Sequence, residues 1–298
     1  MLIYAQGGST PLRGDLLQRV VLRSDLAPVP VTLELEVRES NETTAMIAHG
    51  AVVEVGPSRT PMKLVKVERV QGSGLIQGER ELATIKAVGL LDACAPVAGM
   101  LQRAVVREGA SLGEIYRACG ARVRIESDFT VPVWACYSGM TPSFEVAKVL
   151  QEEAGVLLYD GGRVAFRRLR ELVAQKAALS LVASQTQAVE SGFLELHGVP
   201  FAFTTNAAGG FIVGRRESAR GAYYRPRADA RVVENLSQAL VLRRRYQNIL
   251  TPDLNAGARF DVGGVPMVAI TAAHVFESDV NTGVVEQYSK FWLGELVQ

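Results

Sequence analysis

The sequence predicts an α+β protein that is mostly β, with two small antiparallel β-barrel-like domains flanking an α+β insert. Three observations carry this. Short alternating or apolar runs recur at regular spacing between Gly- and Pro-containing breaks at both ends of the chain, the pattern of an antiparallel barrel or sandwich. The middle changes character, with helix-start signals at Ser111 and Thr141. Near the end, Gly263-Gly264 separates two apolar runs as a two-residue hairpin connection. The implied division is 1–90, 91–174 and 175–298.

At 298 residues the chain exceeds one ordinary core, which fits two or three domains. Hydrophobic residues make up 48% and charged residues 21%, and no run approaches the ~20 apolar residues of a membrane span. The expectation is a protein with neither a membrane span nor a signal peptide. Cys94, Cys119 and Cys136 are odd in number and lack C-x-x-C spacing, which argues against a disulfide framework and a zinc site and fits assembly in a reducing compartment.

In order, residues 6–12 form a turn-rich lead-in, and residues 16–26 mix apolar and Arg positions without a clear period. Residues 31–38 are a strand, because Leu33, Leu35 and Val37 alternate with Glu34, Glu36 and Arg38. Residues 51–55, 63–70 and 81–88 continue the series. Gly72, Gly74 and Gly78 miss the dinucleotide fingerprint by one residue and precede no helix, so they read as a loop.

In the insert, Ser111 and Glu114 make a capping box for a short helix toward Gly120, and Val123 and Ile125 mark a strand. Thr141 and Pro142 open a second helix ending at Gly155, with Phe144, Ala147, Leu150 and Ala154 on its apolar face and Val146 and Val149 widening it. Residues 156–159 and 164–169 form a hairpin around Asp160-Gly161-Gly162. Residues 175–187 are a connection. Strands are then expected at 193–196, 201–204, 211–215, 221–225, 239–246, 258–262, 266–274 and 284–292.

Candidate chemistry is thin. His49, His197 and His274 include no i, i+4 pair for a metal, and His274 reads as a partly buried structural residue on its strand. Cys136, with His197 or His274, is the nucleophile an enzymatic reading would use, though its type is most often buried. Glu34 and Glu36 read as a solvated strand face, and Glu152 and Glu153 occupy adjacent helix positions that do not face each other. No cofactor or metal is expected. Charge is more informative: residues 163–245 hold 14 basic and 6 acidic residues, whereas residues 246–298 hold 2 basic and 6 acidic. Arg215, Arg216, Tyr223, Tyr224, Arg225, Arg227, Arg243, Arg244 and Arg245 are therefore the candidate protein interface. With a net charge of +1, nucleic acid is the lesser alternative.

The run Leu254-x-x-Gly257-Ala-Arg-Phe260-Asp-Val262-Gly-Gly264, followed by Val268-Ala-Ile270-Thr-x-x-His274, resembles the ending of the baseplate hub family of phage tails, related to the base of type VI secretion VgrG spikes. Asn255-Ala-Gly257 stands where Pro-Gly is usual. The domain order also resembles that family across most of the chain. The resemblance implies a non-enzymatic virion tail protein assembled in the host cytoplasm. It implies a homotrimeric ring of six similar units joining a tail tube or distal tail protein to a central spike or fibre. The rival readings are a cell-wall hydrolase or cysteine peptidase using Cys136, and a nucleic-acid-binding module.

Overall fold

The computed structural model describes residues 1–71, 75–76, 79–80, 83–190, 201–215, 221–278 and 284–297. The first segment holds β1 (Ile3–Ala5), β2 (Leu17–Asp25), β3 (Val31–Arg38), α1 (Asn41–Met46), β4 (Val52–Val55), β5 (Thr60–Val70), β6 (Leu75–Ile76), β7 (Glu79–Arg80) and β8 (Thr84–Leu91). The middle holds β9 (Val105–Ser111), α2 (Leu112–Ala118), β10 (Ile125–Glu126), β11 (Thr130–Cys136), α3 (Pro142–Glu152), β12 (Gly155–Asp160), β13 (Arg163–Arg168) and α4 (Leu169–Ala174). The remainder holds β14 (Leu179–Leu181), β15 (Gln187–Ala188), β16 (Phe201–Thr205), β17 (Phe211–Val213), β18 (Ala222–Tyr224), α5 (Ala230–Asn235), β19 (Ala239–Ile249), β20 (Arg259–Val262), β21 (Val265–Ser278) and β22 (Val285–Val297).

The class is α+β and mostly β, as the spacing of short runs implies. The strands do not close into barrels, however. Twelve of them form one open sheet in the order β1-β4-β5-β8-β3-β2-β21-β22-β19-β15, with β20 beside β21 and β14 beside β20. Six come from the first segment and six from the last, and the seam is the antiparallel pairing of β2 with β21, from Arg19 opposite Glu277 to Asp25 opposite Thr271. Sequence periodicity says which face a strand buries, not which distant strand satisfies its edge, so this join was not legible. A second correction concerns β16, β17 and β18, which form a separate three-stranded sheet. The expected strand at 193–196, the start of the 81–88 strand, His197 and the three-glycine pattern at 72–78 lie outside the described residues.

Local rules explain the elements that position the rest. Val31, Leu33, Leu35 and Val37 are buried and alternate with more exposed neighbours in β3. The turn between β20 and β21 needs glycine, since Gly263 and Gly264 have φ of 61° and 86°. Asp261 Oδ1 accepts the Gly264 N–H at 2.8 Å. The α2 capping box is complete: Ser111 Oγ accepts the Glu114 N–H at 3.2 Å, and Glu114 Oε2 accepts the Ser111 N–H at 2.7 Å.

In α3, Pro142 fills the first turn, but the Thr141 side chain makes no cap bond. The buried stripe is Pro142, Val146 and Leu150, while Phe144 is 70% exposed. The helix is thus rotated from the face drawn through Phe144, because Pro142 and Val146 meet the core first. The main core cluster runs from the first segment into the insert, joining Leu33, Val37, Met62 and Leu91 to Ile115, Tyr116, Trp134 and Val146. Tyr116 adds a polar tie across this junction, donating its hydroxyl to Pro28 O at 2.7 Å.

Candidate functional site

The described interface candidates are divided between two sheets. Tyr223 and Tyr224 lie on β18, Arg225 directly follows it, Arg215 follows β17, and Arg243, Arg244 and Arg245 lie on β19 of the large sheet. Arg216 is outside the described residues. Several of the cations have partners inside the chain: Arg225 pairs with Glu152, Arg243 Nε with Glu295 Oε2 at 3.3 Å, and Arg244 Nη1 with Thr186 Oγ1 at 3.0 Å. Tyr223, Tyr224, Arg227 and Arg245 are exposed. Arg215 is exposed as well, so these five of the candidates present surface to a partner.

The outward face of the small sheet was not legible as a unit. Phe203 stands opposite Val213 and Tyr224, and Thr205 stands opposite Phe211. The Phe203 ring lies 5.2 Å from Tyr224 and 6.1 Å from Phe211. Ala202 and Thr204 bury the other face on the side of α5. The signal existed in the alternation of Phe201, Ala202 and Phe203, but the partners come from three separated runs.

Glu152 and Glu153, set aside as adjacent helix positions, tie this sheet to the insert. Glu153 accepts from Arg168 Nη2 at 2.6 Å and from Arg231 Nη1 at 2.7 Å, while Glu152 pairs with Arg225. Asn235 Nδ2 donates to Glu152 O at 2.9 Å. Adjacent carboxylates at a helix end point different ways, and here each direction meets a guanidinium.

A second charged feature crosses the large sheet. Glu286, Glu277, Arg19, Glu36, Lys86 and Glu68 stand in one row through β22, β21, β2, β3, β8 and β5. Arg19 lies 3.0 Å from Glu277 and 3.8 Å from Glu36, and Lys86 lies 3.3 Å from Glu36. Val21, Ala273 and Val275 form a small buried cluster, with Tyr288 and Trp292 packed against it. Glu34 and Glu36, on the strand face expected to be solvated, both approach Arg19 there, at 3.5 and 3.8 Å.

Of the residues an enzymatic reading would use, Cys136 and His274 are buried, and His197 lies outside the described residues. Cys94, Cys119 and Cys136 are free and buried. Burial pushes the Cys94 thiol up to about 12 and the Cys119 thiol to about 11, and it also raises Cys136, the direction opposite to nucleophile activation. His274 is fully buried rather than partly so, and burial lowers it to about 4, with Asp253 opposing. Its partners are Ser289 and the edge of Phe291, not a cysteine. No group of three or more His, Cys, Asp or Glu arranged for a metal ion occurs among the described residues.

The fold is shared with solved structures of tail proteins. The prophage MuSo2 43 kDa tail protein from Shewanella oneidensis is similar over 99% of this chain and 98% of its own, with 13% identity and a TM-score of 0.66. A tail protein from Neisseria meningitidis MC58 is similar over 99% and 95%, with 9% identity and a TM-score of 0.65. The E. coli c3393 protein, a type VI secretion system component described as similar to T4 bacteriophage tail proteins gp27 and gp5, matches over 100% and 77%. Its identity is 7% and its TM-score 0.57. No family model and no curated protein matches the chain in sequence.

Proposed function

We propose that this chain is a structural baseplate hub protein of a phage or phage-like tail. In this reading it forms a homotrimeric ring that joins the tail tube, or a distal tail protein, to a central spike or fibre. The observation that carries the proposal is fold likeness along nearly the whole of both chains, 99% of this one and 98% of the Shewanella oneidensis tail protein. A shared domain alone would leave one chain with a large unmatched remainder. In this reading each copy contributes one strand group from each end of the chain, so that three copies present six groups to a sixfold tube. The segments 1–90, 91–174 and 175–298 are the proposed units of this arrangement.

The role is non-enzymatic in this proposal and needs no cofactor. Arg215, Arg216, Tyr223, Tyr224, Arg225, Arg227, Arg243, Arg244 and Arg245 contribute to contacts with subunits or the tube, led by the exposed Arg215, Tyr223, Tyr224, Arg227 and Arg245. The site of action is the virion tail, after assembly in the host cytoplasm. The partners are two further copies, the tube and the spike.

Deleting the chain from a producing cell and imaging the particles tests the proposal. Tubes without a completed distal end are expected, and both the wild-type chain and a Cys136→Ala chain should restore them. Complete tails without the chain would contradict a hub role. Loss of a hydrolytic activity in the Cys136→Ala chain, with assembly intact, would favour the enzymatic rival.

A further inference from the structure

Ala121, Val123 and Ile125 are buried, whereas Arg122 and Arg124 are exposed and Glu126 is half-buried. This is the alternation of an extended segment whose odd positions face the core. The segment ends in β10, the edge strand of the three-stranded β10-β13-β12 sheet. Arg122, Arg124 and Glu126 therefore share one side of an edge.

That side lines a cleft of about 500 Å³ between the end of β8 and the β12–β13 hairpin. Leu91, Ala93 and Tyr159 supply apolar lining, and Arg163 stands at the hairpin tip. Arg163 Nη1 holds Glu126 Oε1 at 2.8 Å, so the cleft's carboxylate is already neutralised. Arg122 and Arg124 have no ion-pair partner among the described residues. The result is a half-apolar trough with surplus positive charge, running along an extended segment whose Arg122 N–H is held by Ala93 O at 3.0 Å and which ends in the two-residue edge strand β10.

We propose that this cleft binds an extended acidic segment of a partner protein, lying along residues 122–126 so that its side-chain carboxylates two residues apart meet Arg122 and Arg124. Alternate side chains of any strand repeat at ~7 Å, so a second strand matches the spacing of these two arginines without distortion. Guanidinium groups also suit carboxylates because they can donate two parallel hydrogen bonds. The apolar lining takes the rest of the segment. Nucleic acid fits less well, because a phosphate backbone calls for a longer cationic track than these two arginines supply. The inference is independent of the hub reading, since it concerns binding by the chain itself.

The probe is a fluorescent peptide carrying Glu-Val-Glu-Val-Glu between Gly-Ser flanks, titrated with the full chain and followed by anisotropy. It should bind roughly tenfold or more tightly than the same peptide with Gln in place of Glu, and binding should weaken as salt is raised. Arg122→Gln with Arg124→Gln should lose that preference while the far-UV circular dichroism stays unchanged. Glu126→Gln, which releases Arg163 to the ligand, should tighten binding and guards against a general surface effect. Equal binding of the Glu and Gln peptides, or an unaffected double variant, would overturn the proposal. So would tighter binding of an oligothymidylate of similar length.

Discussion

His274 and Ser289 face each other across β21 and β22, with His274 Nδ1 lying 2.8 Å from Ser289 Oγ and both residues buried. Ser289 Oγ also accepts the Thr251 N–H at 2.8 Å, so the pair anchors the turn that leads to β20. His274 Nε2 is buried without a hydrogen-bond partner, and burial outweighs the opposing Asp253 charge and Leu254 backbone. The folded ring therefore stays neutral down to about 4, below the ordinary value of 6.5.

A sign follows for stability against pH. Above pH 6.5 the ring is neutral folded or unfolded, and its contribution is complete. As pH falls from 6.5 toward about 4, the unfolded ring gains a proton that the folded one refuses, so stability drops through that window. The loss is on the order of 2–3 kcal/mol. Thermal unfolding of the wild type should show this decline, and His274→Gln, which keeps a hydrogen-bonding group near Ser289 but cannot titrate, should flatten it. Parallel curves for the two chains would refute the assignment.

Gly257 is held at φ +93°, and an added Cβ would lie 2.9 Å from Leu158 Cδ2. Gly263, at φ +61°, has no neighbour closer than 4.0 Å. Backbone strain applies to both, but overpacking against the insert applies only to Gly257. Gly257→Ala should cost about 2–3 kcal/mol and Gly263→Ala about 1 kcal/mol in denaturant unfolding. The reverse order would show that Leu158 yields freely.

Glu153 serves two arginines from different segments, Arg168 and Arg231. These guanidinium groups are about half exposed, so Glu153→Gln should lower global stability by only about 1 kcal/mol. Its local effect should be larger. Amide exchange in β16, β18 and α5 should speed up while β2 and β21 stay protected. Uniform acceleration through both regions would contradict a local clasp.

Glu277 and Glu286 are directly opposed like charges at the end of the β21–β22 hairpin. Glu286→Lys should stabilise the chain by roughly 0.2–1 kcal/mol at low salt, with the gain shrinking as salt rises. A loss at low salt would mean that Glu286 has a favourable partner in the folded chain.

Much of the local structure was legible because local physics decides it. β3 spans Val31–Arg38 as its alternation predicts, the Ser111 capping box forms, and the hairpins turn at Gly161-Gly162 and Gly263-Gly264, where positive φ demands glycine. Residues 16–26 lacked a clear period because β2 lies between β3 and β21 and buries Leu17, Val20, Val21 and Ser24 in no simple alternation. The β2–β21 seam was hidden for another reason: its partners are more than 240 residues apart, and strand pairing leaves no mark at that distance. The interface candidates were legible only as a charge skew. Composition cannot separate Arg225, which is spent on Glu152, from Arg245, which is exposed.

Particle imaging with copy-number determination bears most directly on the hub proposal. Purified tails should carry three copies of this chain as one ring coaxial with the tube, between the tube and the central spike or fibre. Absence from the tail, or a copy number that is not a multiple of three at its distal end, would contradict the proposal.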